Sequence, residues 1–132
     1  MSNRRMERRR RKWARFRVKS EPTFKAKILE GMDRLSRIQS LSLGGCSFLS
    51  RKSDARLLLN PNVRVSLEIG GRALTLDGVV HYCQFLPQLG LDKNIVGIEF
   101  LWPSEDLRKE FGLMIGQAVT EGCLEQMSTI EV

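Results

Sequence analysis

The sequence predicts a mainly all-β domain, a six- to seven-stranded antiparallel β-barrel with an α-helix at its C-terminal end and a flexible basic arm at its N-terminal end. Three observations lead there. Apolar and polar residues alternate through most of the chain from Phe16 to Phe100, the period-two pattern of strands with one buried face. Gly70–Gly71 stands between two such runs as a hairpin turn. After Pro103 the apolar spacing becomes that of a helix.

Taken in order, Met1 to Lys12 has no apolar periodicity and is expected to be disordered or only partly helical, with order starting near Arg15. Phe16 and Val18 mark a first strand, and Phe24, Ala26 and Ile28 a second. Gly31 and Met32 offer a turn before a third strand around Leu35 to Ser40, and Gly44–Gly45 break the chain before a fourth from Cys46 to Leu49. The clearest strand has Val63, Val65, Leu67 and Ile69 on one face and Arg64, Ser66 and Glu68 on the other. Gly70–Gly71 turns it into a return strand from about Ala73 to Phe85.

A polar loop through Pro87, Gly90 and Asn94 leads to Val96, Ile98 and Phe100, where the sheet is expected to end. Pro103 and Ser104 mark the expected start of a helix whose first turn holds Glu105 and Asp106. Leu107, Phe111, Met114, Ile115 and Ala118 form its apolar stripe, and Gly122 is its expected stop. The chain thus divides into an arm (1–14), a barrel with its helix (15–122) and a tail (123–132) that either extends the helix or frays.

The net charge of +7 is unevenly placed. Arg4 to Arg17 holds nine of the 22 basic residues with Glu7 as its sole acid, which leaves 13 basic against 14 acidic side chains in the rest. The body is close to neutral, and the arm should attract phosphate-bearing partners. Cys46, Cys83 and Cys123 are odd in number and form no CxxC, arguing against a disulfide framework or a zinc site and for a reducing cytoplasm. The Arg-rich start is followed by no apolar core of a signal peptide, and no run reaches the ~20 apolar residues of a membrane helix, so membrane insertion is not expected.

Catalytic constellations are not evident. The single histidine, His81, has no carboxylate or cysteine at ligand spacing, and no phosphate-binding loop, nucleophile elbow or carboxylate pair is recognisable. The expectation is a non-enzyme with neither catalytic nor metal-binding residues and no cofactor.

Two segments remain. RRKWAR, Arg10 to Arg15, lies just ahead of the first strand, with Arg11 and Arg15 four apart; SLSLGG, Ser40 to Gly45, joins the third strand to the fourth. Alone, each is ordinary: an RxxxR arises by composition in such an arm, and serines and glycines commonly end strands. Their order and strand context resemble the RxxxR and [DN]xSxxG motifs of the PilZ family of cyclic di-GMP receptors. The likeness extends from Phe24 to Phe100 and includes LSLGGCSF and the terminal VGIEF strand before a helix.

The resemblance implies a six-stranded barrel with a C-terminal helix and a ligand held where the arm folds over the barrel. Arg11 and Arg15 would clamp phosphate and the guanine O6/N7 edge, and Arg10 could stack on a base, as in members that take an intercalated pair of nucleotides. Ser42 would hydrogen-bond the ligand, and Gly45, lacking a Cβ, would let it approach the backbone. Ser40 departs from the pattern, which has Asp or Asn there to accept from guanine N1 and N2.

On this reading the ligand orders the arm and the chain signals to a separate partner protein. The alternatives are a PilZ-like adaptor that never binds nucleotide, kept open by Ser40, and a nucleic-acid-binding module, weakened by the neutral body and by Trp13 being the arm's only aromatic.

Overall fold

The computed structural model describes residues 13–19, 24–30, 32, 34–51, 61–85, 87–89 and 93–127. The expected disorder of residues 1–12 lies outside them. The described residues form eight strands: β1 (Phe16–Val18), β2 (Phe24–Ile28), β3 (Ser36–Ser42), β4 (Gly45–Arg51), β5 (Asn62–Ile69), β6 (Arg72–Phe85), β7 (Lys93–Leu101) and β8 (Leu124–Gln126). Among the described residues one α-helix, α1 (Glu105–Thr120), lies between β7 and β8.

The strands run antiparallel in the order β2-β5-β6-β7-β4-β3-β1-β8, and a further pairing of β2 with β3 closes six of them into a barrel. Closure works because β3 divides one edge between two partners. Ser36 and Arg37 pair with Ala26 and Lys25 of β2, while Ser40 and Leu41 pair with Arg17 and Phe16 of β1. The β5–β6 hairpin turns at Gly70 and Gly71, with φ of 56° and 85°, the two positive angles its turn type demands.

Burial holds the barrel together. Ala26 and Ile28 of β2, Ile38 of β3, Phe48 of β4, and Val65 and Leu67 of β5 are fully buried, the larger side chains worth about 1.5–3 kcal/mol each. Helix α1 covers one opening with Phe111, Ile115 and Ala118, and Phe111 joins Phe100 and Trp102 in a cluster with ring centroids 5.1–5.9 Å apart. Ser104 caps the helix by accepting from the Leu107 N–H at 3.1 Å.

Beyond the helix the structure departs from expectation. The sheet does not end at Phe100, and the described residues after Gly122, 123–127, do not extend the helix but add a strand. Gly122, at φ 80°, reverses the chain; its N–H donates to the Val119 carbonyl and the Cys123 N–H to that of Ala118. Leu124, buried at 3 % exposure, then lines up with Val18 and sets β8 against β1. Arg17 Nη2 donates to Glu125 Oε1 at 2.6 Å across this pair.

That hydrogen bond, with the positive charges of Arg17 and Lys19, holds the Glu125 carboxyl below its usual 4.5. A carboxyl depressed in the folded state contributes stability above its unfolded pKa and loses it as pH falls through the folded value. Amide protection across β1–β8 should therefore decline below about pH 4.5, and Glu125→Gln should remove that acid-side step. Hydrogen exchange against pH checks it, and an ordinary Glu125 titration by NMR would refute it.

At Gly45 a Cβ would stand 2.1 Å from the Ile98 carbonyl oxygen, so β4 and β7 approach too closely there for any side chain. Gly45→Ala should cost about 1–3 kcal/mol in denaturant unfolding with no ligand present. Gly116→Ala, on an exposed helix turn where an added Cβ meets nothing within 4 Å, should stabilise by about 1 kcal/mol.

Candidate functional site

Two irregularities in the strands create the site. In β3, Ile38 pairs with Phe48 but Ser40 pairs with Ser47, so Gln39 is an extra residue in a bulge. Ile38 and Leu41, three apart, therefore both face the core, and Ser40 and Ser42 are turned to the outside. In β6, Val80 pairs with Ile98 but Tyr82 pairs with Gly97, so His81 is the extra residue and Tyr82 moves to the outer face.

Side chains of directly paired residues share a face, so the registers define two outward rows. One runs Ser42, Gly45, Glu99; the other runs Arg17, Ser40, Ser47, Gly97, Tyr82. Carried one residue past Phe16–Leu41, the β1 register sets Arg15 beside Ser42. With two strand spacings between them, Ser42 and Glu99 stand about 10 Å apart across Gly45.

Over these rows lies a groove of about 390 Å³, within the range of ~300–1,000 Å³ for small-molecule sites. Arg15, Ser40, Ser42 and Gly45 line it together, so four of the six residues singled out in the sequence meet at one place. Arg10 and Arg11 lie outside the described residues.

Ser40 is at the floor, 9 % exposed, with its hydroxyl 2.6 Å from that of Ser47. The Ser42 hydroxyl accepts from the Gly44 N–H at 3.0 Å and shapes the β3–β4 turn. Arg15 is exposed, and its guanidinium has no hydrogen-bond or ion-pair partner among the described residues.

Further residues complete the groove that sequence reasoning did not place there. Trp13 is half-buried and lies against Gly44, where a Cβ would come within 2.6 Å of the ring. It also contacts α1, as the Arg108 guanidinium stands 4.9 Å from the ring centroid while pairing with Glu105. The same turn is fastened from behind: Trp102 Nε1 donates to the Leu43 carbonyl at 2.7 Å and the Phe100 N–H to that of Gly44 at 2.8 Å.

On the far wall His81 Nε2 and Glu99 Oε1 are 2.7 Å apart. An ionised carboxylate only accepts, so Nε2 carries the shared hydrogen. Tyr82 covers Gly97, where a Cβ would be 2.2 Å from its ring. Spacing along the chain could not have found these contacts, because each joins different strands.

Beneath the groove, burial pushes the Cys46 thiol up to about 12, so it stays protonated and is no nucleophile. Among the described residues no group of three His, Cys, Asp or Glu side chains is arranged to hold a metal ion, and no helix is long and apolar enough to cross a membrane. The arrangement offers cationic and hydroxyl donors on one wall, an aromatic ring and a carboxylate on the other, and a floor low in side chains between them. Such a groove suits a planar ligand with both acceptor and donor edges.

The PilZ domain family matches residues 3–117. The fold is similar to that of the K. pneumonia MrkH–c-di-GMP complex, with a TM-score of 0.69 at 19 % identity over 84 % of this chain and 52 % of that one. It is also similar to the Bacillus subtilis inhibitor of motility MotI/DgrA, with a TM-score of 0.56 at 16 % identity over 85 % and 52 %. For the Legionella protein Lpg0364 the values are 0.53 and 20 % over 81 % and 95 %. The chain thus spans about half the length of MrkH and MotI/DgrA. No curated protein sequence matches it. With both motif segments inside a match that takes in most of its length, and with a closed six-stranded barrel carrying a C-terminal helix, the chain belongs to the PilZ domain family.

Proposed function

We propose that the protein is a cytoplasmic receptor for cyclic di-GMP, a binding module and not an enzyme. The observation that carries this reading is Arg15: an exposed guanidinium without a protein partner among the described residues, beside Ser42 in a groove of suitable size. The MrkH complex supports it, as a related fold that holds this nucleotide.

Trp13 gives the reading its mechanism. It fixes the base of the arm on the β3–β4 turn, and Arg11 and Arg10 precede it by two and three residues, a span of about 7–11 Å. On this reading both reach a ligand in the groove. Arg11 and Arg15 take phosphate and guanine O6/N7 as planar forks, and Arg10 covers a second base when a stacked pair binds. Neutralising the arm's charge orders it over the barrel, and the altered surface is presented to a separate partner protein.

A second reading draws on Ser40. Its hydroxyl is buried and satisfied by Ser47, so it offers a ligand less than the family's Asp or Asn, and an adaptor that works through protein contacts without nucleotide accommodates that.

Calorimetric titration separates the two. The receptor gives saturable heat with cyclic di-GMP, an Arg11→Ala, Arg15→Ala double variant binds at least about tenfold more weakly, and Trp13 fluorescence changes on binding. Stoichiometry distinguishes one nucleotide from a pair. Equally flat traces from both proteins at high micromolar ligand would leave the adaptor.

A further inference from the structure

The groove has a wall of opposite character to its arginine side. Glu99 lies in the same outward row as Ser42, across Gly45, and lines the groove with its side chain about half exposed. Its position is not incidental to the strand. His81, the extra residue of the β6 bulge, donates to Glu99 Oε1 and thereby holds the carboxylate in one place. That bond occupies one oxygen of two, and a carboxylate offers further acceptor sites on the other.

A carboxylate in a groove meant for a dianionic ligand is repulsive unless it meets hydrogen-bond donors. Phosphates and the guanine O6/N7 edge have none, and they suit the Arg15 wall. The guanine N1–H and N2–H₂ edge consists of donors alone, and it points away from O6/N7. A base set with its acceptor edge toward arginine therefore turns donors toward the opposite side of the groove. Adenine differs at that edge, where its N1 is an acceptor that a carboxylate repels.

Resting on the receptor reading above, we propose that Glu99, positioned by His81, is the guanine-selecting residue of this chain. It accepts from N1–H and N2–H₂ in the role that Ser40 cannot fill, since the Ser40 hydroxyl is buried and bonded to Ser47. Selectivity is thus supplied from β7, on the other side of the groove from the motif.

The test titrates the full chain and its Glu99→Ala variant with cyclic di-GMP and cyclic di-AMP in parallel, with a thermal melt of each protein. Loss of charged hydrogen bonds should weaken cyclic di-GMP by about tenfold or more, while cyclic di-AMP binding stays level or improves, so the ratio between the two contracts. A merely structural role would weaken both ligands alike and lower the melt. Unchanged cyclic di-GMP affinity in the variant, or an equal loss for both ligands, overturns the assignment while leaving the receptor reading intact. If the unaltered protein binds neither, the assignment falls together with that reading.

Discussion

A closed barrel allows each strand only one inward face, and this constraint decides where the polar chemistry can lie. Phe48 and Ile38 are fully buried and Leu41 nearly so, and a register slip of one residue would turn such side chains to water at about 1.5–3 kcal/mol apiece. Ile38 and Leu41 are three apart, an odd spacing that an unbroken strand cannot bury on one side. The bulge at Gln39 reconciles them, and its consequence is that Ser40 and Ser42 both turn away from the core, Ser40 buried against Ser47 and Ser42 half-buried. The bulge at His81 does the same for β6, where Val80 and Cys83 pack against the core while Tyr82 faces outward. The site is in this sense a by-product of packing: the core sets the parity, and the bulges convert it into an outward-facing row that includes the serines.

The turn between β3 and β4 is the second element on which the site depends. Its carbonyls are taken by Trp102 from the β7–α1 junction and by the Phe100 N–H, and Trp13 rests on Gly44 from the arm side. Arg108 then ties Trp13 to α1. Arm, sheet and helix therefore converge on a few residues that also present Ser42. A turn fixed from several directions is preorganised, so its backbone needs little ordering when a ligand binds beside it.

Much of this architecture was legible in the sequence. Val63 to Ile69 alternates cleanly, Gly70–Gly71 is a two-glycine hairpin, and Ser104 before Glu105 and Asp106 reads as a helix start because local chemistry alone dictates each. β8 was not legible, as it buries only Leu124 and is defined by a partner more than 100 residues away. The bulges left a faint signal, the odd spacing of Ile38 and Leu41, which becomes meaningful only once both are known to be inside. Within the site, Arg15, Ser40, Ser42 and Gly45 could be chosen because they stand at the positions of the two PilZ motifs that the chain resembles. His81, Tyr82 and Glu99 could not, since cross-strand register brings them in, and Trp13 enters through contacts with the Gly44 turn and Arg108 of α1.

The structure also changes how much each motif residue says about ligand. Gly45 is required by the Ile98 carbonyl whether or not anything binds, Ser42 is engaged in shaping its own turn, and Ser40 is satisfied by Ser47. Three of the four motif positions within the described residues thus have sufficient reasons inside the barrel, and their match to a binding motif follows in part from sharing the fold. Arg15 has no such reason. An exposed guanidinium in a concave surface, flanked by hydroxyls and facing a carboxylate held in place by an adjacent imidazole, stabilises nothing in the barrel that the apolar core has not already secured. The arginine therefore weighs more than the serine–glycine string as a mark of binding. A member of this family could keep the string for packing alone after losing its nucleotide, whereas an arginine with nothing to hold has no comparable packing reason to remain.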